Sequence, residues 1–174
     1  QGLTVMQIGC DPKADSTMSL LGGQRFPTVL DLVREHKDNF KLEDMVHVGY
    51  QGVLCVEAGG PTPGRGCAGR GIITAFDKLR DKGAYEVYQP DVILYDVLGD
   101  VVCGGFTMPM RVGYADTVYI LTSGENMSIY AAANIAMAVR NFKGRGYAAL
   151  GGFLVNERNV KNEQEKIKEL ATDF

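Results

Sequence analysis

The 174-residue sequence has no block of basic residues, no low-complexity tract, no internal repeat, no CxxC pair and no apolar run approaching the roughly 20 residues that cross a bilayer. Acids (21) and bases (18) are interleaved, with a net charge of −3, so nothing tracks a phosphate backbone and nucleic acid is not an expected partner. The first residues lack a basic stretch followed by an apolar one, so no membrane association is expected and a cytoplasmic location is. Four cysteines without close pairing fit neither a disulfide-dense secreted scaffold nor a zinc ribbon, so any cysteine chemistry must come from residues distant in sequence. With 45% hydrophobic residues the chain can bury one sizeable core, and a single domain over 1–174 is expected.

Glycine is plentiful instead: 22 residues, nearly twice the average share of about 7%. Most fall in 59–71, 99–105 and 144–152, between segments that read as regular structure, and such clusters mark backbone that approaches something closely. Apolar runs at 3–9, 52–57, 91–96, 117–122 and 147–155 predict strands. Those at 91–96 and 117–122 are nearly continuous in Val, Ile, Leu and Tyr, which predicts burial on both faces. Three- and four-residue apolar spacing predicts helices over 28–36, 71–82, 127–142 and 162–171. Alternation of the two implies parallel crossovers and an α/β, doubly wound, mostly parallel sheet, whose ligands bind at the carboxyl ends of the strands.

Three loops at such ends carry chemistry. Gly9-Cys10-Asp11-Pro12-Lys13-Ala14-Asp15-Ser16-Thr17 offers carboxylates and hydroxyls for Mg²⁺ and an ammonium group for phosphate, although Asp15 and Ser16 would equally suit a solvated, helix-capping turn. Residues 57–71 form a glycine-rich loop leading into a helix. Residues 96–106 follow a strand ending in Asp96, the place where P-loop enzymes hold magnesium, and the following Gly99 can report on a γ-phosphate.

The cysteines divide accordingly. Cys10 and Cys55 lie among apolar neighbours and read as small buried hydrophobes. Cys67 and Cys103 are flanked by glycine, which lets backbone N–H groups approach whatever the sulfur binds. A [4Fe-4S] cluster takes four thiolates and one chain supplies two, so two chains about a two-fold axis would complete it.

Residues 9–17, the Gly-Gly-Pro-x-Pro-Gly-x-Gly-Cys-Ala-Gly-Arg-Gly stretch at 59–71 and Tyr-Asp-Val-Leu-Gly-Asp-Val-Val-Cys-Gly-Gly-Phe at 95–106 resemble switch I, the first cluster loop and switch II of the nitrogenase iron protein family. The similarity continues through Ser123-Gly124-Glu125 and Asn156-x-Arg158-Asn159. The resemblance implies a P-loop NTPase-like fold and an ATP-dependent reductase. Its dimer-bridging [4Fe-4S] cluster, held by Cys67 and Cys103, would pass low-potential electrons to the catalytic component of nitrogenase or of a nitrogenase-like methylthio-alkane or tetrapyrrole reductase. It implies MgATP as the second cofactor, and catalytic roles for Asp11 and Asp100. Lys13, Asp15, Asp96, Gly99 and Asn156 would serve nucleotide binding and switching, and Arg70 partner docking or ADP-ribosylation. The implied partners are a second copy of the chain, the catalytic component, and a ferredoxin or flavodoxin donor.

Two features depart from the family pattern. No Gly-rich P-loop with Lys and Ser/Thr is present, and residues 3–9 match the strand that follows it in the family, so the expectation is of a domain lacking its N-terminal P-loop and C-terminal portions. Residues 22–40 and 110–145 differ from typical members, as does Glu157, while Arg70 favours the nitrogenase or methylthio-alkane type. The alternative from another class is a non-redox partitioning or scaffold-type P-loop ATPase, which would not need Cys67 and Cys103. A third is a nucleotide-free binding module.

Overall fold

The computed structural model describes residues 2–60, 68–99, 107–111 and 113–174, and of Ala68 and Arg70 the backbone alone. The chain divides into two compact units, Gln1–Leu98 and Gly99–Phe174.

In the first unit, β1 (Val5–Gly9) lies between β3 (Leu54–Glu57) and β4 (Val92–Asp96), parallel to both, and β2 (His47–Val48) adds an antiparallel edge, giving the order β2-β3-β1-β4. The crossovers carry α1 (Val29–His36) and then α2 (Ala68–Asp81) with α3 (Ala84–Tyr88). Met6 and Ile8 of β1, Val56 of β3 and Ile72, Phe76 and Leu79 of α2 are wholly or almost wholly buried, so the apolar stripe of α2 and the inner strand form one core. The Phe76 ring meets Tyr95 of β4 at 5.2 Å between centroids. Helix α1 begins at a capping box, in which Thr28 Oγ1 accepts from Asp31 N and the Asp31 carboxylate accepts from Thr28 N.

In the second unit, β5 (Thr117–Thr122) and β6 (Ala149–Val155) pair in parallel, joined by α4 (Asn126–Phe142), and α5 (Glu163–Asp173) follows. Ile120, Ala132, Ala136 and Leu170 are buried together, with Val118, Ile129, Phe153 and Phe174 packed against them. Both helices therefore cover the same face of the strand pair.

The five predicted strands and four predicted helices are all present. The predicted burial of 91–96 and 117–122 on both faces is not observed. Val92 and Leu94 are exposed because they point away from the face of β4 that carries Tyr95, against which Phe76 of α2 packs, and Tyr119 (61% exposed) and Leu121 (70%) because the helices of that unit cover the opposite face of β5. No helix among the described residues is long and apolar enough to cross a membrane.

Candidate functional site

The strand register of the first unit sets the site. Gly9 pairs with Glu57 on one side and with Asp96 on the other, so the carboxyl ends of three parallel strands stand level, with an acid flanking the central glycine on each side. The chain leaves this row with Cys10 N donating to Asp96 O (2.8 Å) and Ala58 N donating to Gly9 O (2.9 Å). A side chain at Gly9 would collide with the Glu57 carboxyl group, whose Cδ lies 2.7 Å from where its Cβ would be.

Residues 10–17 then turn back over the strand ends. Asp11 closes the turn, accepting from Lys13 N on Oδ1 (2.9 Å) and facing the Lys13 ammonium group at 3.5 Å. The Lys13 side chain is mostly exposed. Two consecutive hydroxyl residues fasten the other end of the loop. Ser16 Oγ donates to Asp96 Oδ2 (2.5 Å) and is itself approached by Gln7 Nε2 (2.9 Å), while Thr17 donates to Glu57 Oε1 through both its backbone N–H (2.6 Å) and its Oγ1 (2.7 Å). Thr17 is 1% exposed. Asp15, just before Ser16, adds to the negative charge that Glu57 feels.

Burial is the main cause that pushes the Glu57 carboxyl group above its ordinary range; the Thr17 donors oppose it, and Asp15 and Asp96 reinforce it. Its Oε2 is buried without a hydrogen-bond partner among the described residues. Burial, with Asp96 and Glu57 nearby, also pushes the Cys10 thiol up to about 12, and burial raises Cys55. Both cysteines are free and buried, so they are packing residues with little thiolate character.

Asp11, Asp15, Ser16 and Asp96 carry oxygen donors of the type Mg²⁺ takes, and of these Ser16 and Asp96 are in direct contact. Among the described residues no three His, Cys, Asp or Glu side chains form a ready-made metal cluster. Gly99 is three residues beyond Asp96, with nothing among the described residues where a side chain would be. Cys67, Asp100 and Cys103 lie outside the described residues, as does the side chain of Arg70, whose backbone is in the first turn of α2.

The second unit builds its own strand-end site. Asn156 follows β6 and donates its N–H to Thr122 O at the end of β5 (2.8 Å). Next to it Glu163, at the start of α5, accepts from Gly124 N (2.8 Å) and Arg158 N (3.1 and 3.2 Å), and these backbone donors, Gly124 foremost, hold its carboxyl group below the ordinary range. Gly124 has no room for a side chain, since its Cβ would lie 2.5 Å from Glu163 Cγ. Glu57 and Glu163 are the residues that sequence reasoning missed; Ser16 and Thr17 were read as oxygen donors of the loop, but not as its ties to Asp96 and Glu57. Glu57 alone had a local signal, an acid ending an apolar strand as Asp96 does.

Solved structures share the fold. Cobyrinic acid a,c-diamide synthase from Mycobacterium smegmatis, with bound ATP analog and magnesium, matches all of this chain and 71% of its own (TM-score 0.65, 15% identity). The Pyrococcus furiosus cell division ATPase MinD matches 98% and 68% (TM-score 0.61, 16% identity). The architecture is thus P-loop NTPase-like. In sequence, the chain is 54% identical over 176 residues to the nitrogenase iron protein of Methanospirillum hungatei JF-1, covering 99% of this chain and 62% of that protein. It is 47% identical over 183 residues to nitrogenase iron protein 2 of Methanothermococcus thermolithotrophicus, covering 98% and 63%. The chain therefore spans less than two thirds of the length of these relatives. Residues 1–174 match throughout the 4Fe-4S iron sulfur cluster binding proteins of the NifH/frxC type, and the chain belongs to that family.

Proposed function

We propose that the protein carrying this chain is an ATP-dependent reductase that passes low-potential electrons to the catalytic component of nitrogenase or of a nitrogenase-like reductase. The observation that carries this reading is the hydrogen bond from Ser16 to Asp96, which ties the loop bearing Asp11, Lys13 and Asp15 to the acid ending β4. In a family that binds [4Fe-4S] clusters and uses MgATP, such a tie makes the loop responsive to whatever occupies the strand end.

In this reading residues 1–174 belong to one P-loop NTPase-like domain. Asp11 and Asp100 orient and activate the attacking water, Lys13 offers its exposed ammonium group to phosphate, and Asp15 and Asp96 hold the magnesium side of the nucleotide. Gly99 senses the γ-phosphate, and Asn156 meets the base. Cys67 and Cys103 each supply one thiolate per protomer of a homodimer; the cluster bound there supplies the low-potential electron. Cys103 is seven positions after Asp96, so a change at the phosphate is conveyed to the cysteine along a short stretch of chain. Arg70, three residues after Cys67, serves docking or modification. A ferredoxin or flavodoxin recharges the protein in the cytoplasm.

Anaerobic iron and sulfide analysis with EPR of the reduced full-length protein, wild type against Cys103→Ser, with and without MgATP, tests the reading. About four irons per dimer, lost in the variant and with an ATP-sensitive signal, support it. A folded, iron-free wild-type dimer overturns it in favour of a scaffold-type ATPase.

A further inference from the structure

Glu57 ends β3, and the residues immediately after it lead toward Cys67. Each of these residues touches another part of the same unit. Ala58 O accepts from Leu30 N (3.2 Å). Gly59, at φ +79, leaves no room for a Cβ, which would lie 2.7 Å from Thr28 Cβ. A Cβ at Gly60 would lie 2.8 Å from Pro12 Cα, and Gly60 O accepts from the Arg34 guanidinium group. The loop at 10–17 therefore touches the segment 57–60 at two separate points, Thr17 on the Glu57 carboxylate and Pro12 on the backbone of Gly60.

We propose that Glu57 is a positioning residue that couples loop 10–17 to the segment leading to Cys67, with Pro12 against Gly60 as the second contact. This rests on the reading of 10–17 as the nucleotide-responsive loop. The route differs from the one along 96–103, because it crosses between strands through side chains instead of following the chain.

The physical reason for coupling is the state of the Glu57 carboxylate. Its Oε2 already has no partner among the described residues, and its Oε1 depends on the two Thr17 donors. If Thr17 moved alone, a half-buried carboxylate with one enclosed oxygen would be left without hydrogen bonds at either oxygen, which is more costly than moving both together. The end of β3 must then follow the loop, and Gly60, resting on Pro12, is carried in the same step. Ser16 acts differently, since its partner Asp96 is on the other strand. Consecutive hydroxyls thus divide the loop's motion between the two flanking strand ends, one toward Cys67 and the other toward Cys103.

Hydrogen exchange of the full-length protein, read by mass spectrometry on peptides covering 10–17 and 54–60 with and without MgATP, tests the coupling. In wild type both peptides change exchange rate on adding MgATP. In Thr17→Val the 10–17 peptide still responds and the 54–60 response falls about fivefold or more, the lower range of an allosteric coupling. Thr17→Ser, which keeps the donor, restores it. Gly60→Ala, which drives the segment off Pro12 without touching Thr17, gives the same uncoupling and guards against a folding defect in the valine variant. A responsive wild type with equally responsive Thr17→Val and Gly60→Ala variants overturns the coupling alone, whereas a wild type whose 10–17 peptide ignores MgATP overturns the nucleotide reading and the coupling with it.

Discussion

Each unit places one glutamate at the carboxyl end of its strands, and the two are held in opposite ways. Glu163 accepts backbone N–H groups from two separate chain segments, at Gly124 and Arg158, which hold its carboxyl group below the ordinary value of 4.5. Glu57 has one oxygen served by Thr17 and one served by nothing described, and burial raises it above that value. The first is a staple, in which the charged form is the stable one. The second is a group whose charge is unwelcome where it stands, which is tolerable at a site whose other state gives it different partners. Fixed geometry in the second unit and a conditional latch in the first follow from the donors around the same side chain.

The largest effect that would sharpen this contrast comes from removing the staple. Glu163→Ala leaves the Gly124 and Arg158 amides without their acceptor, and thermal unfolding of the full-length protein should show Tm lowered by several degrees at pH 7. Because the native pKa lies below the unfolded one, the contribution of Glu163 is complete above about 4.5 and is lost as pH falls through the native value. The gap in Tm between wild type and variant should therefore close on acidification. A gap independent of pH would mean that packing, not charge, holds the turn.

At the latch the sign depends on which partner is changed. Thr17→Val removes a hydroxyl donor from a half-buried carboxylate with little change of shape and leaves the backbone N–H in place, at a cost of about 1–2 kcal/mol in urea denaturation. Glu57→Gln keeps an acceptor for Thr17 while removing the buried charge, so its stability at neutral pH should equal or exceed that of wild type. Here the native pKa is raised. The favourable contribution of Glu57 is complete below about 4.5 and is lost as pH rises through its native value, so Glu57→Gln gains on wild type over the window where Glu163→Ala stops losing. Parallel pH profiles for the two variants would break the comparison.

The uneven legibility of the sequence has the same origin. Strands and helices were readable because apolar periodicity is local, and Asp96 because an acid closing a Val-Ile-Leu-Tyr strand is a local signal too. β2 was missed because two residues have no period, and α3 because five residues between left-handed Gly83 and Gln89 depend on neighbours for their conformation. Continuous apolar runs at β4 and β5 suggested cover on both faces, but composition does not reveal which face has a helix on it. Glu57 has the strand-ending signal of Asp96, yet its role depends on Thr17, 40 residues away, and a glutamate in the first turn of α5 reads as an ordinary helix-start acid until Gly124 is found against it.

The smallest expected effect lies at the helix starts. In the first unit Thr28 caps α1 by a reciprocal box with Asp31 and stands against Gly59, so the cap also braces the segment that follows Glu57. In the second unit Glu125 precedes α4 with no side-chain bond to the helix, and its pairing with Arg158 at 3.9 Å is solvent-exposed. Thr28→Ala should cost about 0.5–2 kcal/mol in urea denaturation, with Thr28→Ser recovering most of it. Glu125→Ala should stay within about 0.5 kcal/mol of wild type, since an exposed ion pair of that length contributes little. If the cap also braces the segment, Thr28→Ala should raise hydrogen exchange in the 54–60 peptide more than in the rest of the first unit, and Glu125→Ala should leave exchange at the start of α4 unchanged. A uniform rise across the unit would reduce Thr28 to an ordinary cap that plays no part in holding the segment after Glu57.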